Sequence, residues 1–266
     1  MTSRVLLFGC EHHPNVNRES LDWLYTQIEE FRPHILINLG DALDGIGWSR
    51  HLSNADWTQE DEYESFRDDV AYLNSIPFVK ERYWIYGNHD NNYEEPGRLP
   101  PKIKSLVHWR NWNPEEGTSL RTELADWHIV PHYGSHIRRA IGPLVVAHGT
   151  KIGIHATRDE ALMQWQLPNT LTVTAHTHRA MPVTRVVGAG GILTDLYCAN
   201  VGTHIDWLRS EYQFRNYFGA WANGCVCVET SIEDLRMKTA PDYYPAKHWE
   251  AETRIRMYAK DDPRLR

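Results

Sequence analysis

The chain has 266 residues, a length that suits one large domain better than two ordinary ones. With 28 Lys and Arg against 35 Asp and Glu, the net charge is −7, which argues against a protein that coats DNA or lies on an anionic membrane. Hydrophobic residues at 41% exclude wholesale disorder, and no run reaches the roughly 18 apolar residues that a membrane span needs.

Met1-Thr2-Ser3-Arg4 leads straight into an apolar run, with no signal-peptide core ahead of it. That run, residues 5–9, is closed by Gly9 and predicts a buried strand. Leu21, Leu24, Tyr25 and Ile28 repeat at helical spacing within residues 20–31, and Pro33 follows the end. Residues 35–39 predict a second buried strand that enters Gly40-Asp41. A strand–helix–strand opening implies a mostly parallel sheet covered by helices. Residues 56–69 are acidic and polar, with Trp57, Tyr63 and Phe66 followed by Val70 and Leu73, and a solvated amphipathic helix is expected there.

A third strand over 82–86 enters Gly87-Asn88-His89-Asp90. Residues 91–113 carry Pro96, Pro100 and Pro101 and read as a long excursion over one face. An apolar run at 144–147 ends at His148-Gly149, a helix suits 158–165, and a strand over 170–174 delivers Ala175-His176-Thr177-His178. Residues 183–187, 192–198 and 225–229 predict antiparallel strands of a second sheet. No repeat or low-complexity linker interrupts the chain. The expected organisation is one domain over residues 1–237 and a charged, peripheral tail over 238–266.

Four cysteines, Cys10, Cys198, Cys225 and Cys227, form neither a CxxC pair nor a disulfide framework, so a reducing cytoplasm is expected. Cys225 and Cys227 lie two apart on a strand, hence on one face, and are expected as buried small apolar groups. The unusual counts are 15 His and 11 Trp. Tryptophans can stack the bases of single-stranded nucleic acid, but anchoring of core and loops is the plainer expectation.

Five polar clusters each follow a predicted strand: Cys10-Glu11-His12-His13, Gly40-Asp41, Gly87-Asn88-His89-Asp90, His148-Gly149 and His176-Thr177-His178. The carboxyl ends of parallel strands share one edge, where ligands bind, so these clusters are expected to converge. Imidazole, carboxylate, amide oxygen and thiol are donors to divalent Mn, Fe, Zn, Co or Ni. One Asp among several His and an Asn suits two ions about 3.5–4 Å apart that share the Asp. Such a pair can generate hydroxide near neutral pH and clamp phosphoryl oxygens, while a free His beside it protonates the leaving oxygen. A lone His after a strand is usually structural, and His51, His108, His132, His136, His155 and His204, which stand outside the clusters, are read that way.

The segments FGCEHHP, NLGDALDG, YGNHDN, VAHG and TAHTHR together resemble the calcineurin-like metallophosphoesterase superfamily, whose motifs run D-x-H, G-D, G-N-H-[DE], H and G-H-x-H. The resemblance spans residues 8–179. His12-x-Pro14, the AHTHR ending and NGC at Asn223 are most similar to phage-type members. It implies a four-layer α/β/β/α sandwich of two mixed sheets and a phosphoesterase that holds two divalent ions, Mn first, with Fe, Zn, Co or Ni as alternatives. It also implies that Asp41 bridges both ions, that Cys10, His12 and His178 hold the first, and that Asn88, His148 and His176 hold the second. His89 is then the general acid, hydrogen-bonded to Asp90, and Asp44 orients the loop from behind. Of Arg50, Arg98, Arg110, Arg138, Arg139 and Arg179, the last stands next to the metal histidines and is the best candidate to bind substrate phosphate. His13 is a further candidate at the substrate.

Cys10 departs from the pattern, because the superfamily has an Asp ligand there. A thiolate ligates Zn or Fe and favours softer ions. A one-residue shift offers Glu11-x-His13 instead, and a weak first site leaves a single ion; the three readings stay open in the sequence. The expected substrate is a phosphodiester of nucleic acid or a nucleotide, because Gly87-Asn88-His89-Asp90 is similar to the Asp-ending version in DNA-repair nucleases. The acidic charge keeps small phosphodiesters in play. A Ser/Thr protein phosphatase fits less well: Tyr86 stands where those enzymes carry Arg, and Asp44-Gly45-Ile46 where they carry Asp-Arg-Gly. The competing class is a catalytically impaired module that binds phosphate or nucleic acid around one ion, which has no use for His89. The expected compartment is the cytoplasm, the host's if the gene is phage-borne. No membrane partner is expected, and the oligomeric state stays open.

Overall fold

Successive side chains of a strand point to opposite faces, and here both faces of the central strands are apolar, so each sheet needs cover on two sides. The computed structural model describes residues 2–45, 57–94, 123–130, 139–141, 144–163, 169–187, 195–206, 221–230, 238–239 and 249–256. In the first sheet β1 (Ser3–Phe8), β2 (Ile35–Asn38), β3 (Glu81–Ile85) and β4 (His128–Val130) lie side by side and parallel. The second sheet has the order β11 (Lys238–Thr239), β5 (Arg139–Ile141), β6 (Leu144–Val146), β7 (Thr170–Thr174), β9 (Asp195–Asn200), β8 (Met181–Val187), with β6, β7 and β9 parallel.

Alternation sorts the core into layers. Leu6, Phe8, Leu36, Trp84 and Tyr86 face α1 (Arg18–Phe31) and α2 (Gln59–Ser75), which bring Leu21, Leu24, Ile28, Phe66, Val70 and Leu73. Their neighbours Val5, Leu7, Ile35, Ile37, Tyr83 and Ile85 turn the other way and meet Leu144, Val146, Leu171, Val173 and Ala199 of the second sheet. A short helix, α3 (Asn88–Glu94), follows β3, and α4 (Ala156–Met163) lays Ala161 over Val186, Leu196 and Cys198 on the outer face. The four layers are the expected α/β/β/α sandwich.

Local chemistry sets the helix ends. The Asn17 side chain accepts from Ser20 N to cap α1, and Arg32 closes it in the left-handed region just before Pro33. Thr58 and Asp61 form a capping box at α2.

The structure departs from the sequence reading in three places. Residues 225–229 belong to β10 (Asn223–Thr230), which pairs antiparallel with β1 in the first sheet, not the second. The described residues of the tail are strands of both sheets: β11 pairs with β5 at the edge of the second, and β12 (Trp249–Arg256) pairs along its whole length with β10 in the first. The acidic helix is not solvated throughout, because Glu62 and Asp69 of α2 are buried. Most of the excursion, from residue 95 on, lies outside the described residues. Among the described residues no helix is long and apolar enough to cross a membrane.

Candidate metal centre

β1, β2 and β3 of one sheet and β6 and β7 of the other end at the same edge, and the five polar clusters meet there. His12 Nε2 lies 3.0 Å from His178 Nε2. His148 Nε2 lies 3.0 Å from Asp41 Oδ2 and 3.2 Å from His176 Nδ1. The His176 backbone N–H donates to Cys10 Sγ at 3.3 Å, which ties the first cluster to the last. Three sets of potential ligand atoms, each within 4.8 Å of one another, result: Cys10, His12 and His178; Cys10, Asp41 and His148; and His12, Asp44 and His89.

The chain bends sharply to build this edge. Cys10, His12, Asp41, His176 and His178 all have φ between 54° and 64°, and among the described residues only Arg32 and Asn169 are other non-glycine positions with positive φ. Such backbone is uncommon for residues with a Cβ and marks a site whose geometry the surroundings impose. Two glycines make the bends possible. A Cβ on Gly40 would meet Gly87 N at 2.1 Å, and one on Gly87 would meet Asp41 Oδ1 at 2.1 Å.

Whether the donors fit a metal is answered by the far side of each ring. A metal-binding histidine ligates through one nitrogen and gives the other N–H to an oxygen. His148 Nδ1 donates to the Leu39 carbonyl at 2.6 Å, and His12 Nδ1 faces Asp44 Oδ1 at 3.1 Å, so each turns Nε2 to the cluster. Nitrogen, sulfur and carboxylate oxygen, buried together and oriented in this way, are a donor set for a borderline divalent ion. With this geometry in place, residues 3–209 match the family described as calcineurin-like phosphoesterase.

The chain belongs to the calcineurin-like phosphoesterase family. It is therefore a metal-dependent phosphoric ester hydrolase. Among solved structures, a metallophosphoesterase from Sphaerobacter thermophilus is 14% identical, covers 97% of this chain and 89% of its own, and has a TM-score of 0.46. The Escherichia coli phosphoesterase YfcE is 12% identical over 89% of this chain and 98% of its own, with a TM-score of 0.43. The Pseudomonas putida nuclease MPE is 13% identical over 89% and 87%, with a TM-score of 0.36. No curated protein matches the sequence.

In this phosphoesterase Cys10, His12, Asp41, His148, His176 and His178 come together as the motifs imply. Asn88 opens α3 beside them and is exposed. Glu11 is fully buried but turns away, its Oε1 accepting from Asn38 Nδ2 at 2.7 Å, so the edge is formed by Cys10 and not by the shifted register. Two roles need correction. His89 bonds not to the Asp90 carboxylate but to the Asp44 carbonyl, through Nδ1 at 2.7 Å. Asp90 instead accepts from the backbone N–H groups of Asp41, Gly87 and Ala42, a brace that fixes the two loops to each other. His13, expected at the substrate, has no exposure; its ring faces Ser65 Oγ at 2.9 Å and Asp69, on α2. Arg179 is half-buried next to His178, whereas Arg50, Arg98, Arg110, Arg138 and the Arg139 side chain lie outside what is described.

One supporting element escaped the sequence reading. After β9, Thr203 Oγ1 and His204 N both donate to the Cys10 carbonyl, at 2.7 and 3.0 Å. The signal available was a fourth strand, 195–200, ending in Gly202-Thr203-His204, but His204 had no companion motif.

Charge follows the packing. Burial alone would raise the Asp41 carboxyl, but His148, His89 and His12 around it prevail and hold it well below the carboxylate range. Burial would lower His89 and His148, yet Asp41, joined by Asp44 at His89, raises both. His176 is pushed down to about 4 by burial and the neighbouring His148 charge, and burial with His12 also lowers His178. Neutral imidazoles are the ligating form.

Proposed function

We propose that this phosphoesterase is a phosphodiesterase that cleaves phosphodiester bonds of nucleic acid or nucleotides, with His89 as general acid. The observation that carries the reading is the placement of His89. Its backbone N–H donates to Asp41 Oδ1 at 2.9 Å, and its Nδ1–H to the Asp44 carbonyl at 2.7 Å. The ring stands edge-on to His12 at 4.9 Å, so Nε2 is the atom left to serve a substrate beside the metal donors.

Asp41, His12, His148, His176, His178, Cys10 and Asn88 are the residues proposed to hold two divalent ions, Mn being the first expectation. When bound, such a pair supplies a nucleophile near neutral pH and neutralises the phosphoryl oxygens. The chain's own residues do the rest. Asp41, kept ionised, holds His89 in place and favours its protonated form, and the Nε2 proton passes to the departing alkoxide. Arg179 is proposed to pair with a non-bridging phosphate oxygen. A departing alkoxide needs this proton far more than a stabilised nitrophenolate does, which is why a phosphate ester of an ordinary alcohol is the fitting substrate. The Asp-ending Gly87-Asn88-His89-Asp90 supports the nucleic-acid or nucleotide class, and the net charge of −7 favours short or mononucleotide diesters over long duplexes. Cys10, Cys198, Cys225 and Cys227 are all buried free thiols, which supports the proposed reducing cytoplasm.

The test is His89→Ala. It should keep the metal content of the parent protein, lose about 10²–10⁴-fold in turnover of a dinucleotide, and lose far less on bis-p-nitrophenyl phosphate. Equal loss on both substrates removes His89 as the acid. No turnover of either substrate by the parent protein under any divalent ion supports the binding module instead.

A further inference from the structure

We infer that Cys10 is the ligand shared by the two metal positions, so that a thiolate bridges where the resemblance implies a carboxylate alone. The inference rests on the two-ion reading above. Of the three sets of ligand atoms at the site, Cys10 Sγ belongs to two, one with His12 and His178 and one with Asp41 and His148. Asp41 belongs only to the second. The group within reach of both halves is therefore the sulfur.

The surroundings hold that sulfur in place. Cys10 sits in the left-handed region at φ 58°. Its N–H donates to the Gly40 carbonyl at 2.8 Å, and its own carbonyl accepts from Thr203 Oγ1 and His204 N. These three partners lie in the loops after β2 of one sheet and β9 of the other, so the Cα–Cβ bond is aimed from two sides. The backbone N–H of His176 then approaches Sγ from the β7 end at 3.3 Å. A thiolate keeps several lone pairs on one large, polarisable atom and can serve two cations from a single point, where a carboxylate uses two oxygens. Sulfur also selects for thiophilic ions. A shared thiolate moves the preference of both positions towards Zn, Co or Fe and away from the Mn that an all-oxygen-and-nitrogen set would take.

Titration of the metal-free full-length protein with Co(II), followed in the near-ultraviolet sulfur-to-cobalt charge-transfer band, reads this directly. Sharing predicts that the band changes through both equivalents, rising with the first and continuing to grow or shift with the second. Cys10→Ser should lose the band although Cys198, Cys225 and Cys227 remain. Cys10→Asp should lose the band, keep two ions per chain and shift competition between Zn and Mn towards Mn. Far-ultraviolet circular dichroism of both variants confirms the fold before titration. A band complete at one equivalent while a second ion binds silently overturns sharing but leaves the two-ion centre standing. Two ions bound with no band overturn any role for the sulfur. Failure of the parent protein to bind cobalt overturns the two-ion reading itself, and sharing with it.

Discussion

A methyl group at position 87 has nowhere to go. Built on Gly87, it would come within 2.1 Å of Asp41 Oδ1 and 2.5 Å of Asp41 N, in the residue whose carboxylate meets His148. Gly87→Ala must therefore push the Asp41 loop away from His148 or unseat Asp90 from its three N–H donors. Overpacking of this kind costs about 1–3 kcal/mol, and here the displaced atoms are the site itself. Gly87→Ala is expected to lose bound metal out of proportion to its loss of thermal stability. Gly153→Ala is the control, since φ there is 108° but no atom lies within 4 Å of the added methyl; it should show backbone strain of about 1–3 kcal/mol with metal retained. Equal metal content in the two variants contradicts the argument.

At the scale of elements, the loop after β9 joins the site to α1 through one buried ring. His204 has no exposure; Nδ1 lies 2.7 Å from Ser20 Oγ on α1, and its carbonyl accepts from Asn17 N at the helix cap. Among the described residues its Nε2 has no hydrogen-bond partner, and burial pushes the ring down to about 4. A histidine in the unfolded chain takes up its proton near pH 6.5. The native state therefore loses nothing to this group above pH 6.5. Stability then falls between pH 6.5 and about 4, by about 3 kcal/mol in all at 1.36 kcal/mol per unit. Urea unfolding of chelated parent protein and His204→Gln at pH 7.5 and pH 4.5 checks this. The parent's advantage over the variant should shrink at the lower pH, and an advantage that does not change with pH rules the ring out.

The same scale shows what the sequence could and could not reveal. The strand ends were legible because Gly40-Asp41, Gly87-Asn88-His89 and His176-Thr177-His178 each close a short apolar run. The sheet assignment of 225–229 was not. Cys225, Val226, Cys227 and Val228 are all buried, and a strand apolar on both faces states its depth without naming its partner. The inward turn of Glu62 and Asp69 was hidden by composition. Glu62, Ser65, Phe66, Asp69, Val70 and Leu73 share one helical face, but half of that stripe is polar, so it reads as solvent-facing. Its polar members are occupied: Glu62 Oε1 accepts from Gly45 N at 2.6 Å, and Asp69 accepts from Tyr25 OH. That also explains His13, whose position in the motif pointed to the substrate while its ring found Ser65 and Asp69.

At the scale of the molecule, the two sheets are joined by more than their common core. β12 covers the edge of β10 in the first sheet and reaches the second sheet at several points. Trp249 Nε1 donates to the Asn169 carbonyl at 2.9 Å, its ring meets Tyr197 edge-on at 5.0 Å, and Thr253 Oγ1 donates to the Met181 carbonyl at 2.9 Å. Without β12, the strand NGCVCVET would present unpaired backbone along a nearly all-buried, β-prone segment, the condition for edge-to-edge association. Deleting residues 249–266 is therefore expected to yield soluble aggregates in light scattering and a lower midpoint of thermal unfolding. Deleting only 257–266 keeps β12 whole and should therefore leave a monodisperse protein. The metal content of the longer deletion separates two roles. β10 lies beside β1, which leads into Cys10, so retention of metal by its remaining monomer would mean that the edge strand protects the sheet without supporting the site. If the longer deletion instead stays monodisperse and melts with the parent, β12 is an ornament on the first sheet, and the joint between the sheets lies wholly in the core formed by Val5, Leu7, Val226 and Val228 against Leu171 and Val173.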